Sequence, residues 1–223
     1  VELAGRDEIE RRLARKLGRL GQEQVRQVLD MLGNPPKFEN ITPELWEALG
    51  ADIQGILQPE LEAIFRGQIG QLMVSSGVGV DWGLINARAA EWAREYSYEL
   101  VKGITNTTRD ALRQQVEGFF TDRRTLGDLE ASISQLFGPV RAEMIAVTET
   151  TRASVQGELA FGEELRVLGL QSVEVWQTNH DELVCPICSP LNQRPRGQGW
   201  NVPPPAHPRC RCWLTAQVTE PQA

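Results

Sequence analysis

Cys185-Pro186-Ile187-Cys188 and His207-Pro208-Arg209-Cys210-Arg211-Cys212 contain all four cysteines of the chain and one of its two histidines. A Cys-x-x-Cys pair in a tight turn aims two thiolates at one point, and a His-x-x-Cys pair downstream supplies two more donors. Eighteen residues separate Cys188 from His207, a spacing found in closed zinc modules. An even cysteine count also allows two disulfides in an oxidising compartment. The tight pairs, the neighbouring histidine and a first turn that is charged rather than apolar favour a metal instead. Soft thiolates with one imidazole select zinc. Structural zinc takes four ligands, and five candidates are present: Cys185, Cys188, His207, Cys210 and Cys212. Either Cys210 and Cys212 compete for one place or His207 is spare; the preferred set is Cys185, Cys188, His207 and Cys210, with Cys212 as the substitute. The physical need is plain, because the stretch 179–210 has too few large apolar side chains to offset its own ordering entropy. Zinc binding in small peptides supplies about 10–16 kcal/mol. Trp176, Trp200 and Trp213 are candidates to wall the site and exclude water.

The cysteines are flanked by alternating segments. Ser172-Val173-Glu174-Val175-Trp176-Gln177-Thr178 reads as one strand, and Cys212-Trp213-Leu214-Thr215-Ala216-Gln217-Val218 as another. Everything upstream reads as helix. Ile9, Leu13, Leu17, Leu20, Val28 and Leu32 recur at three- to four-residue steps over 6–32, and Gly33-Asn34-Pro35-Pro36 stops that helix. Thr42-Pro43-Glu44 is an N-cap with proline at the first helical position. The pattern then runs to about Ser75, with a break or fresh start predicted at Pro59. Asp81 caps a helix to about Lys102, whose apolar side is Leu84, Ile85, Ala89, Trp92, Tyr96 and Leu100. Asn106-Thr107-Thr108 opens a separate helix over 106–121. Thr125-x-x-Asp128 is a capping box with Asp in place of Glu, opening a short helix that ends near Phe137-Gly138. Pro139 starts a long helix through about Glu164. The expected fold class is mainly α (α+β). A helical arm or subdomain covers 1–80, a helical module with a small zinc-bearing β element of two or three strands covers 81–218, and a polar tail covers 219–223.

Composition narrows the function. With 223 residues, 41% apolar and 24% charged, the chain can bury a real core. No apolar run approaches the ~20 residues that span a bilayer, so no membrane is expected. The net charge is −7 and the pI about 5.0, against the strong basic excess of a protein that coats DNA non-specifically. The charge is uneven. Arg6, Arg11, Arg12, Arg15, Lys16 and Arg19 make the first helix basic, whereas Glu39, Glu44, Glu47, Asp52, Glu60 and Glu62 stand without a base between Lys37 and Arg66. Such stretches are either solvated helix faces or docking faces for an oppositely charged partner.

Catalytic signatures are weak. His180-Asp181-Glu182 has the His-x-Glu form that begins a zinc deaminase signature, but the Pro-Cys-x-x-Cys that should follow is not there. A hydrolytic zinc needs three protein ligands and a nearby base, and five available ligands more naturally close the site. No phosphate-binding loop, nucleophile elbow or dinucleotide fingerprint is present in the sequence. The expectation is a protein without catalytic residues.

Beyond the cysteines, an ordered series of motifs stands out. A helix carries Ile145-Ala146-Val147-Thr148-Glu149-Thr150. Val175-Trp176 then precedes Asp181 and Cys185-Pro186-Ile187-Cys188. Leu191 follows, and the series closes on Pro205-Ala206-His207-Pro208-Arg209-Cys210-Arg211-Cys212. The series resembles the Mu protein F-like minor head proteins of tailed phages. The match covers roughly 110–215, is looser over 81–110, and does not extend to 1–80. One departure is Val147, where that family usually has Arg before Thr-Glu. Glu149 matches, and a buttressing role for it against the zinc loop is one expectation. The resemblance implies a head-morphogenesis protein carried inside the virion near the portal, and in the host cytoplasm during assembly. It also implies contacts with the portal protein, with major capsid or scaffold protein and with packaged DNA, in several copies around the portal. The N-terminal helices are then the portal- or capsid-contacting part. Two other classes stay in view: a zinc-stabilised nucleic-acid-binding module, suggested by Arg194, Arg196, Arg209 and Arg211 around the ligands, and a zinc enzyme.

Overall fold

The computed structural model describes residues 1–179 and 184–218. Five helices come first: α1 (Arg6–Leu32), α2 (Pro43–Ser76), α3 (Trp82–Thr121), α4 (Leu126–Leu136) and α5 (Pro139–Val167). Two strands follow, β1 (Ser172–Gln177) and β2 (Trp213–Val218), and short 3-10 turns occupy Phe38–Asn40 and Ser189–Leu191. The fold is therefore mainly helical, with a small two-stranded sheet and a cysteine/histidine cluster near the C-terminus. The predicted tail 219–223 lies outside the described residues.

Two expected interruptions are absent. α2 runs unbroken through Pro59. Proline removes one helical hydrogen bond, but Leu57 and Leu61 on either side of it are wholly buried, and that packing outweighs the loss. The expected separate helices over 81–102 and 106–121 are the single helix α3. Thr107 and Thr108 do not cap a new helix. Their hydroxyls bond back to the carbonyls of Gly103 and Ile104 at 2.9 and 2.6 Å, which satisfies them inside a continuous helix. The expected caps elsewhere are present. Asp81 accepts from the amides of Gly83 and Leu84 at 2.7 and 3.2 Å, and Thr125 with Asp128 forms the reciprocal box at the start of α4.

The chain forms two compact units of interleaved segments. The first comprises Val1–Glu10, Glu60–Trp92 and Val147–Ala223; the second comprises Arg11–Pro59 and Ala93–Ala146. The sequence boundary at 80/81 falls in the connection between α2 and α3, within the first unit.

The second unit is built by apolar helix faces. Val28 and Leu32 of α1, Trp46 and Leu49 of α2, Leu112 and Val116 of α3, and Leu129 and Ile133 of α4 bury one another together with Ile41. α1 comes so close to the end of α4 that a Cβ on Gly21 would lie 2.1 Å from the Phe137 carbonyl oxygen, so only glycine fits.

The first unit has two apolar groups. One joins Phe65, Ile69 and Leu72 of α2, Ile85 and Ala89 of α3, and Ala160, Phe161 and Leu165 of α5. The other surrounds the cysteines: Val155 of α5, Trp176 of β1, Leu214 of β2 and Trp200, with Cys188, Cys210 and Cys212. β1 and β2 pair antiparallel, with Ser172 opposite Val218 and Gln177 opposite Trp213. On its other side β1 is lined by the loop that joins the two cysteine pairs. The Gln193 amide donates to the Trp176 carbonyl, the Trp176 amide to Arg194 and the Arg196 amide to Glu174, at 2.7, 3.0 and 2.8 Å. Buried Glu158 on α5 ties the start of β2 to the helices. It accepts from the Leu214 amide at 2.8 Å and from the Gln68 side chain of α2 at 3.0 Å.

Candidate metal centre

Two tight turns present the predicted ligands. In the first, the amides of Cys188 and Ser189 donate to the Cys185 carbonyl at 3.1 and 3.0 Å, and the Cys188 amide also faces the Cys185 sulfur at 3.4 Å. The turn thus folds both thiols to one side. In the second, the Cys210 amide donates to the His207 carbonyl at 3.1 Å, with Arg209 in the left-handed region at φ 63°. The two turns meet. His207 Nε2 lies 3.0 Å from Cys185 Sγ and 3.3 Å from Cys188 Sγ, and Cys188 Sγ lies 3.8 Å from Cys210 Sγ. Two thiolates bound tetrahedrally to zinc at about 2.3 Å each are about 3.8 Å apart.

The five predicted residues fall into two overlapping triads, Cys185-Cys188-His207 and Cys188-Cys210-Cys212, with the donor atoms of each triad within 4.8 Å of one another. Cys188 belongs to both. Either triad is a donor set capable of holding a metal ion. All four cysteines are free thiols rather than disulfides.

The imidazole is already oriented as a ligand. His207 Nδ1 donates to the Pro208 carbonyl at 2.8 Å, which leaves the Nε2 lone pair directed at the two thiols. Burial and charge shape the thiols. Burial, with the neighbouring Cys210 thiolate, pushes Cys188 up to about 12. Cys212 is also raised, first by the hydrogen bond it donates to Cys210 and then by burial. That same bond is the main cause that draws Cys210 down to about 5. For His207 burial opposes the charged form, but the Pro208 carbonyl and the thiolates of Cys210 and Cys185 outweigh it, so its pKa is raised. Negative charge therefore collects on Cys210 while its buried neighbours keep their protons. Several thiolates can share this space only around a cation, so metal binding would release protons.

Trp176 and Trp200 wall the cluster edge-to-face at 5.4 Å, and both are buried. Trp213 is half-buried on β2 and stands apart from that packed group. Of the conspicuous α5 motif, Glu149 is buried and pairs with Arg152 at 3.4 Å. From this helix Thr148 accepts from the Arg209 amide at 2.9 Å, and Thr151 donates to the Cys210 carbonyl at 2.5 Å. Thr148 belongs to the motif series read from the sequence, whereas Thr151 lies just outside it and carried no signal. Arg211 turns back on its own chain, meeting Asp7 and, at 3.3 Å, Glu10. Arg196 lies 3.9 Å from Glu174, while Arg194 and Arg209 are exposed. His180, Asp181 and Glu182, the candidate bases for a zinc enzyme, lie outside the described residues.

No protein-family model matches the chain, and searches of curated proteins and of solved structures find no match either.

Proposed function

We propose that this chain is a non-catalytic, zinc-stabilised module that acts by contact with partners. The observation that carries the reading is the donor set itself. Three or four thiols and one imidazole with its second nitrogen tied to a carbonyl select zinc, and they are numerous enough to close its coordination. Cys185, Cys188, His207 and Cys210 form the ligand set, with Cys212 as the substitute for the fourth place. Zinc here is structural. It supplies the stabilisation that a loop with one buried tryptophan and a few prolines lacks.

Two kinds of partner fit. The site itself favours a nucleic-acid-binding module, because Arg209 is exposed next to Cys210 and Arg194 is exposed in the loop that joins the two cysteine pairs. The role of a phage minor head protein near the portal draws on the motif series over 110–215, closing in His207-Pro208-Arg209-Cys210-Arg211-Cys212, and on no feature of the fold.

The first test is metal analysis followed by chelation under reducing conditions. One zinc per chain is expected. Its removal should erase amide-exchange protection at β1 and β2 while the second unit keeps its own. A zinc-free chain with an unchanged melting profile would overturn the reading. Binding assays then separate the partners. DNA affinity that falls steeply with salt supports the nucleic-acid module. Co-sedimentation with portal rings, insensitive to nuclease, supports the head protein.

A further inference from the structure

Arg6 opens α1, some two hundred positions before the second cysteine pair, yet it is 4% exposed and its guanidinium ends on that pair's backbone. Nη1 donates to the Arg211 carbonyl at 2.8 Å, Nη2 donates to the Thr151 hydroxyl, and Nε donates to Glu10 at 2.7 Å. Thr151 passes the contact on by donating to the Cys210 carbonyl. Arg211 closes the circuit through Asp7 and Glu10. Together with Thr148 on the Arg209 amide, side chains of α1 and α5 hold three consecutive residues of the turn, 209 to 211. The first turn, by contrast, holds itself through its own amides, and His207 is anchored by Pro208.

We propose that Arg6, with Glu10 and Thr151, is the positioning device of the metal centre. It sets the backbone of Cys210 and Arg211, and so aims the Cys210 and Cys212 thiols at the point the first turn defines. The inference rests on the zinc reading above. Its physical basis is that a buried guanidinium satisfying carbonyl, hydroxyl and carboxylate at once over-determines the geometry of whatever it holds. Without it the Arg211 carbonyl and the Glu10 carboxylate lose a buried partner and the turn relaxes. Groups that orient metal ligands typically change affinity about 10–100-fold when removed.

The test uses the full chain and two metals. Zinc affinity is measured by competition with a chromophoric chelator. Cobalt(II) is then loaded in place of zinc, and its d–d and thiolate charge-transfer bands report ligand geometry. Arg6→Met, which keeps the apolar stem, should bind zinc about 10–100-fold more weakly. Its cobalt bands should be shifted and weakened while its helical circular dichroism is retained. Wild-type affinity with unshifted bands in Arg6→Met overturns the inference and leaves the zinc reading standing. A wild-type chain that takes up neither metal removes the zinc reading itself. Should Arg6→Met not fold, Glu10→Gln answers in its place, because it keeps the packing and removes the charge that holds the guanidinium. Weaker zinc and shifted bands in Glu10→Gln support the device, and unchanged ones overturn it.

Discussion

The second unit and the cysteine-bearing end of the first unit solve the same problem in opposite ways. In the second unit, α1 to α4 bring Val28, Leu32, Trp46, Leu49, Leu112, Val116, Leu129 and Ile133 together, and burial of apolar surface supplies the driving force. Around the cysteines the chain between β1 and β2 buries Thr178, Cys188, Trp200, Pro204, Pro205, Cys210 and Cys212 among its described residues. That is little apolar area for so long a connection. Its order comes from backbone bonds along β1, from the two turns, and from polar side chains that reach in from α1 and α5. The lesson is that the two regions should respond to different perturbations. Chelation and loss of Arg6 strike the cysteine end. Changes in close packing strike the helical unit.

The largest single-residue effect on the cysteine-bearing unit outside the ligands is expected at Glu158. Its carboxyl is buried, and burial raises its pKa from 4.5 to about 8 in spite of the hydrogen bonds from Leu214 and Gln68. The folded-state pKa lies above the unfolded one. The stability it contributes is therefore full below about pH 4.5 and is lost as pH rises through about 8. The whole span corresponds to about 5 kcal/mol. Wild type should lose stability as pH rises from about 5 to about 8, and Glu158→Gln should flatten that slope. Comparing denaturant midpoints of the two chains, each with stoichiometric zinc, cancels the pH dependence of metal binding. Parallel curves would show that Glu158 is ionised in the folded state across the range.

A middle-sized effect should fall on the other region. Gly21→Ala places a methyl against the Phe137 carbonyl, and neither backbone can yield without moving a helix end. The expected net loss is about 1–3 kcal/mol, after the ~1 kcal/mol that alanine gains in helix propensity. Zinc affinity should be untouched. A Gly21→Ala chain as stable as wild type, or one with altered metal affinity, would blur the comparison between the regions.

What the sequence disclosed follows the same division. Local signals were legible: the apolar period of α1, the caps at Asp81 and Thr125, the alternation of β1 and β2, and the spacing of Cys185, Cys188, His207, Cys210 and Cys212. Signals whose outcome depends on more than the local pattern were not. Thr107 and Thr108 look like a helix start because their hydroxyls can cap, and only the continuous helix shows those hydroxyls turned back on carbonyls. Pro59 looks like a break because the cost of proline is local, whereas the burial of Leu57 and Leu61 that offsets it is tertiary. Leu84 keeps the apolar period of α3 yet is 42% exposed. Arg6 sat in a run of basic residues that reads as a solvated face, and its buried contacts with Thr151 and Arg211 could not be inferred from charge alone. The Glu149 motif pointed to the helix that also carries Thr148 and Thr151, whose hydroxyls bond the second cysteine turn.

The smallest effect sharpens the comparison most, because it is confined to one helix. Thr125 accepts from the Asp128 amide at 3.2 Å, and Asp128 accepts in turn from the Thr125 amide at 3.0 Å and its hydroxyl at 2.7 Å. These bonds from Thr125 lower the Asp128 pKa, so the box contributes its stability above the usual carboxylate range and loses it as pH falls through that lowered value. Thr125→Ala removes the hydroxyl and should cost about 1 kcal/mol. The loss should appear first as faster amide exchange at 126–129, while exchange at β1 and β2 and zinc content stay as in wild type. If the variant loosened the cysteine end as well, the two units would unfold as one cooperative body. The division between a core held by apolar helices and one held by polar contacts around a candidate metal site would then describe their construction but not their stability.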